Sequence, residues 1–196
     1  MPKAITRIGI PVFLIFGLIM AVVALFSASG QPEVNSGYKR FAVGDLSGLQ
    51  FNATKPLPTG AIEGPDGEET SLAAFQGAPI VLNIWNESCA PCEAEMPSLA
   101  KLQEAVAEQG VKVLAVAVDR EGNKEFNRDS LQRLSGGVLE FYFDKNFGVA
   151  YDTAAVGLPT TILYDANGGE IARKAGGADW ASENAVAFVK AIAAQS

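Results

Sequence analysis

Residues 80–97 read Ile-Val-Leu-Asn-Ile-Trp-Asn-Glu-Ser-Cys-Ala-Pro-Cys-Glu-Ala-Glu-Met-Pro, and this stretch decides the fold. Ile80 to Trp85 is almost continuously apolar, which suits a strand covered on both faces rather than one with a wet side. Pro91 to Gln109 then reads as a helix stopped by Gly110, and Val111 to Val118 is again apolar throughout. Strand, helix and strand in succession make a βαβ unit, so the sheet is expected to be parallel here, with helices on both sides.

The flanks extend the same pattern. Upstream, Pro65-Asp66-Gly67 is turn chemistry between Ala61-Ile62-Glu63 and Glu69-Thr70-Ser71-Leu72, which predicts an N-terminal hairpin. Downstream, a polar helical segment over Asn123 to Leu134 leads to a strand over Leu139 to Asp144 and a helical stretch around Asn146 to Ala154. Thr160 to Asp165 and Glu170 to Lys174 read as antiparallel strands, where Asn167-Gly168 favours a two-residue hairpin. An amphipathic helix closes the chain, with Ala185, Phe188, Val189 and Ile192 on one face and Asp179 or Ser182 as its cap.

The N-terminal part is different in kind. Ile8 to Phe26 is uncharged and apolar; as a helix it would extend roughly 28 Å, close to the hydrocarbon thickness of a bilayer. Lys3 and Arg7 precede it and the next basic residue is Lys39, which places the N-terminus in the cytoplasm and the rest of the chain outside. Ser27-Ala28-Ser29 would suit a peptidase, but the run is longer than a signal peptide's apolar region, which favours an uncleaved anchor over residues 1–30. Residues 31–48 are polar, Gly-rich and aperiodic and read as a flexible tether, leaving 49–196 as the folded domain.

Composition narrows the chemistry. The chain has two Cys and no His, so Ser-His-Asp and Cys-His nucleophile systems cannot be assembled. A net charge of -7 and the absence of a basic cluster argue against nucleic acid as a partner. Both thiols lie in Ser88-Cys89-Ala90-Pro91-Cys92, where the strand gives way to the helix. A thiol at a helix N-terminus meets unsatisfied N–H groups and the positive end of the dipole, both of which favour the thiolate. Cys89 is therefore the expected nucleophile, and Cys92, one turn inward, the resolving thiol that frees a trapped mixed disulfide. Other uses of the pair fit less well. A zinc site lacks two further sulfur or nitrogen ligands, and haem attachment requires His where Glu93 stands. A purely structural disulfide of so short a span would restrict the unfolded chain little. No cofactor and no metal is expected.

From these residues the chain resembles the thioredoxin superfamily, and within it the membrane-anchored TlpA-like thiol-disulfide oxidoreductases. The likeness covers roughly Leu49 to Ala194. Its strongest parts are Val81-Leu82-Asn83-Ile84-Trp85, Cys89-Ala-Pro-Cys92 with Glu95-Met96-Pro97, Gly157-Leu158-Pro159-Thr160, and Ala178-Asp179-Trp180-Ala181-Ser182-Glu183. The resemblance implies a thioredoxin-like three-layer α/β fold with an N-terminal hairpin and an inserted helix and strand, preceded here by one transmembrane helix. It also implies that Pro159 is a cis-proline facing the disulfide. Two departures stand out: Asn83 replaces the buried Asp of typical thioredoxins, as in many TlpA-like chains, and Ser88 replaces the usual Trp before the first Cys. An amide cannot titrate, which places proton transfer on water or a nearby carboxylate. Glu87, Glu93 and Glu95 crowd the motif with negative charge and point to a reductant; the alternative is a solvated rim, with Glu95 helping to seat the helix.

The expected function is a membrane-tethered, periplasm-facing protein-disulfide reductase fed by a transmembrane dithiol donor. Resemblance implies exported substrates: apocytochrome c, or the copper-site cysteines of cytochrome oxidase and their copper chaperone. The rival is a Cu(I)-binding assembly chaperone using the same two sulfurs; a peroxidase lacks the expected Thr ahead of Cys89.

Overall fold

A computed structural model describes residues 36–51 and 55–195. Seven strands form one mixed sheet in the order β2-β1-β5-β4-β3-β6-β7. The strands are β1 Ala61–Glu63, β2 Glu69–Ser71, β3 Ile80–Trp85, β4 Lys112–Val118, β5 Phe141–Asp144, β6 Thr160–Tyr164 and β7 Glu170–Ala175. The helices are α1 Ala90–Val106, α2 Lys124–Ser135, α3 Gly148–Thr153 and α4 Glu183–Ala193. β3, β4 and β5 are mutually parallel, while β6 runs antiparallel to β3, β7 to β6, β1 to β5 and β2 to β1. The expected hairpin is thus β1-β2, and the inserted helix and strand are α2 and β5.

All six residues of β3 are buried, because it lies between two strands and beneath helices on both faces. Its odd-numbered residues Val81 and Trp85 join Met96 and Leu99 of α1, Leu131 of α2 and Phe188 of α4 in one core layer. Its even-numbered residues Ile80, Leu82 and Ile84 join Leu72, Val149 of α3 and Tyr164 in the other. The period-two alternation of a strand therefore feeds two cores at once, which is why no polar residue except Asn83 interrupts the run. α1 ends in a 3-10 turn, Ala107–Gln109, with Gly110 at φ 72° as its left-handed cap. At α4 the cap is Ser182, whose Oγ accepts from the Ala185 N–H at 3.3 Å.

Two expectations need correction. The β6-β7 connection is not a two-residue Asn-Gly hairpin. Gly168 N–H donates to the Asp165 carbonyl at 3.0 Å and Asp165 N–H to the Gly169 carbonyl at 3.0 Å. Ala166 and Asn167 thus form the centre of the turn, and Gly168, at φ 81°, takes the left-handed position after it. The Asp165 side chain secures this arrangement by accepting from the N–H groups of Asn167 and Gly169.

The tether read over residues 31–48 is the second. From Tyr38 on, this segment is part of the folded unit. It forms short 3-10 helices over Ser36–Phe41 and Gly44–Leu46, with Tyr38, Phe41, Leu46 and Leu49 buried. Tyr38, Phe41 and Phe51 surround Phe188 of α4 with ring centroids 5.6, 5.1 and 6.3 Å away, and Asn184 Nδ2 donates to the Phe41 carbonyl at 2.8 Å. Single 3-10 turns are too short to show a repeating hydrophobic pattern, so the segment looked structureless. Residues 1–35, with the anchor expected over 1–30 and the first part of the tether, lie outside the described residues. Among the described residues no helix is long and apolar enough to cross a membrane.

The aromatic cluster makes a measurable claim. Phe188→Ala should destabilise the domain by about 3–5 kcal/mol, the usual cost of truncating a buried Phe, in urea unfolding of the whole chain. A loss below about 1 kcal/mol would show that residues 38–51 do not pack on α4.

Candidate active site

β3 ends at Trp85, and four residues later Cys89 becomes the N-cap of α1. The intervening turn is closed locally, with Cys89 N–H donating to the Asn86 carbonyl at 3.3 Å and Ser88 Oγ to Asn86 Oδ1 at 3.0 Å. Pro91 sits in the first turn of α1, where a missing N–H leaves no intrahelical bond unmade. Cys89 and Cys92 form a disulfide, with 5.2 Å between their Cα atoms. Cys89 is half-buried and Cys92 fully buried. The Cys89 sulfur accepts from the Cys92 N–H at 3.3 Å, so the helix start directs a donor at the outer sulfur.

Pro159 is buried and follows a cis peptide bond from Leu158, as the resemblance implies. Thr160, the next residue, pairs with Ile84, one short of the end of β3. Pro159 therefore enters the sheet at the end where the chain leaves for Cys89. Its carbonyl accepts from Gly176 N–H at 2.9 Å.

Beneath the disulfide lies a buried polar cluster. Glu95 is 3% exposed, and Asn83 and Trp180 not at all. Asn83 Nδ2 donates to Glu95 Oε1 at 2.7 Å and to Thr161 Oγ1 at 2.9 Å. Glu95 Oε2 accepts from Trp180 Nε1 at 3.1 Å and from Ala178 N–H at 3.2 Å. Burial pushes the Glu95 carboxyl up to about 7, against the opposing pull of these donors and of Lys174. Glu95 is three residues beyond Cys92 on the same helix and so lies one turn below it on the same side. A carboxyl that exchanges its proton near neutrality, next to a buried thiol, can accept the proton that the thiol must lose.

The other two carboxylates are placed differently from each other. Glu93 Oε1 accepts from Ser130 Oγ at 2.9 Å and from Arg133 Nη2 at 3.2 Å, so α2 compensates its charge. Glu87 is half-buried, and its N–H donates to Asn127 Oδ1 at 2.8 Å. The three acids that read as one negative rim are a buried hydrogen-bonded carboxyl, a paired surface group and a loop residue. No cluster of three or more Cys, Asp or Glu able to hold a metal ion occurs among the described residues.

Comparison with known proteins places this geometry in a family. The AhpC/TSA family model matches residues 53–179. The chain belongs to the AhpC/TSA family. Thiol-disulfide oxidoreductase ResA of Geobacillus thermodenitrificans (strain NG80-2) is 34% identical over 103 residues, covering 53% of this chain and 58% of that protein. Thiol:disulfide interchange protein DsbE of Vibrio cholerae serotype O1 (strain ATCC 39315 / El Tor Inaba N16961) is 34% identical over 106 residues, 52% of each chain. The chain thus spans little more than half the length of these relatives. A solved putative DsbE from Chlorobium tepidum superposes with a TM-score of 0.63 at 22% identity, over 74% of this chain and 99% of that one, which establishes the thioredoxin-like fold.

Within this AhpC/TSA chain, Cys89 and Cys92 stand where the sequence placed them. The sequence offers Glu95 as a residue that helps seat the helix; it does not point to the roles of Trp180, Asn127, Ser130 and Arg133. For Glu95 a signal was present: it follows Cys92 by one helical turn on a helix that packs its inner face on Asn83.

Glu95 has a consequence for stability. Its folded carboxyl is raised above the 4.5 of an exposed one, so its protonated form stabilises the fold fully at low pH, and that contribution is lost as pH rises from about 4.5 through about 7. In the whole chain, wild type should lose on the order of 3 kcal/mol more than Glu95→Gln between pH 4.5 and 8, measured by chemical unfolding. The neutral amide is accommodated by rotation of Asn83, whose Oδ1 has no hydrogen-bond partner. Parallel pH profiles for the two proteins would refute the assignment.

Proposed function

We propose that this chain is a thiol-disulfide oxidoreductase that reduces disulfides of exported proteins. The observation that carries the reading is the asymmetry of the pair at the start of α1: a half-buried Cys89, a fully buried Cys92 and a buried Glu95 one turn below. The names of the ResA and DsbE relatives point the same way.

In the forward direction the Cys89 thiolate attacks one sulfur of a client disulfide. The client S–S bond breaks, a Cys89–client bond forms, and the client's other sulfur leaves as a thiolate that takes up a proton. Cys92 then yields its proton, with Glu95 as acceptor, and attacks the Cys89 sulfur. The second client thiol departs and the Cys89–Cys92 disulfide is left. The client has gained two electrons and the chain has lost two, so a dithiol donor must return them. Carboxyls at Glu87 and Glu95 oppose a second negative charge beside the sulfurs and favour the disulfide form, which is the poise of a reductant. A measured potential near -120 mV, the strongly oxidising end of the range, would rule this out.

The finer reading follows the TlpA-like resemblance. Residues 1–30 anchor the chain in the cytoplasmic membrane with the thioredoxin-like domain outside, and a transmembrane dithiol protein supplies the electrons. The clients are the haem-attachment cysteines of apocytochrome c or the copper-site cysteines of cytochrome oxidase assembly. Apolar length and the basic residues Lys3 and Arg7 support the orientation.

The full-length chain carrying Cys92→Ser should accumulate a covalent adduct through Cys89 when expressed in its own membrane, visible as a thiol-sensitive shift on gels. Cys89→Ser should show none and lose at least a thousandfold in disulfide-reducing rate. A Cys89→Ser protein that still reduces disulfides would end the proposal.

A further inference from the structure

α2 touches the active-site segment on both sides of the cysteines. Ahead of them, Asn127 accepts the Glu87 N–H at 2.8 Å. Asn127 is fully buried, and its Nδ2 donates to Asp119 Oδ2 at 3.1 Å and to the Asn123 carbonyl at 2.9 Å, so the amide is fixed from three directions. Behind them, Ser130 and Arg133 both reach the same oxygen of Glu93, and Arg133 Nη2 also meets Ser130 Oγ at 3.1 Å. Asn127 and Ser130 are three residues apart, and Ser130 and Arg133 three more, so one face of α2 presents all three contacts. Between the two grips lie only Ser88 to Cys92.

Glu93 stands four residues after Cys89, and its N–H donates to the Cys89 carbonyl at 3.1 Å. An uncompensated carboxylate at that position works against the helix dipole that favours a Cys89 thiolate. Among the described residues, other charged groups at this end of α1 include Glu87 in the preceding loop, Glu95 on α1, Asp45 and Asp179, which line one cavity with Pro91 and Glu95, and Lys174 on β7, which acts on Glu95. The loop from Ala155 to Pro159 carries none. Arg133 is therefore the cation that α2 brings to this end of α1.

We propose that α2 is a clamp on the cysteine pair: Asn127 holds the loop before Cys89, while Ser130 and Arg133 neutralise Glu93 after Cys92 so that Cys89 ionises more readily. The clamp deepens the disulfide-exchange reading and rests on it, and it makes Arg133 and Ser130 positioning residues that act through Glu93. The Arg133–Glu93 pair is partly exposed, with side chains 65% and 36% accessible, so the effect is that of a screened surface ion pair between two helices rather than a buried one.

The test is the acidity of Cys89 in the reduced full chain, with Cys92→Ser to leave one thiol, read from the pH dependence of its alkylation by iodoacetamide. This measures the thiol without any client, so failure of the reductase reading and failure of the clamp are separable. Arg133→Gln should raise the Cys89 pKa by about 0.3 unit, roughly halving the thiolate fraction below it. Glu93→Gln should lower the pKa by a similar amount, and Arg133→Gln added to Glu93→Gln should bring it back toward the wild-type value, because both charges are then gone. Arg133→Lys should restore the wild-type value, which a purely structural role for Arg133 does not require. An unchanged pKa in Arg133→Gln, or a double variant whose pKa stays as low as that of Glu93→Gln, overturns the charge half of the clamp. For the other half, Asn127→Ala should speed amide hydrogen exchange at Glu87 while leaving Leu82 and Ile84 protected. Unaltered exchange at Glu87 overturns it.

Discussion

The carboxyl of Glu95 ties this molecule together. From α1 it reaches β3 through Asn83, the loop after β7 through Ala178, and the start of the C-terminal region through Trp180. Asn83 passes the link on to Thr161 of β6. A buried group with that many partners is costly to leave unsatisfied, so helix and sheet must keep a fixed distance. The sulfurs ride on the first turn of the same helix, one turn above that fixed point. The side chain that seats the helix is thus also the one whose carboxyl burial pushes up to about 7, one turn from Cys92.

α2 acts from the outside as Glu95 acts from within. Glu95 sets the depth of α1 over the sheet; Asn127, Ser130 and Arg133 hold the surface segment that carries Cys89. The inserted helix and strand thus do more than extend the sheet with β5. They supply the residues that border the cysteines on the side away from Pro159.

Most of the architecture was legible because its strands are continuous apolar runs and its helices end at recognisable residues. Gly110 and Ser182 marked two boundaries, and Ala185, Phe188, Val189 and Ile192 all turned out buried. The cysteines were equally plain, since their chemistry follows from their place at a helix start. What escaped depends on contacts far apart in the chain. Glu95 and Trp180 are 85 residues apart, and nothing local marks either as half of a pair. Glu93 and Ser130 are 37 apart, and a Glu three or four residues from others looks like a charged rim until its partners are located. Tyr38 and Phe41 failed for the opposite reason: they sit in a stretch whose polar, Gly-rich character is real, and only Phe188 gives their rings a use.

The two margins of the sheet bear on the protein's own tendency to aggregate. β2, at one margin, is three residues long. Along β7, at the other, Gln50 and Arg173 exchange reciprocal backbone hydrogen bonds of 2.9 Å, and Pro56 bridges to Gly169. Among the described residues, neither margin offers a long row of free amides on which a stretched polypeptide could be laid down as an eighth strand. Growth of the sheet into an aggregate by backbone pairing is thereby limited.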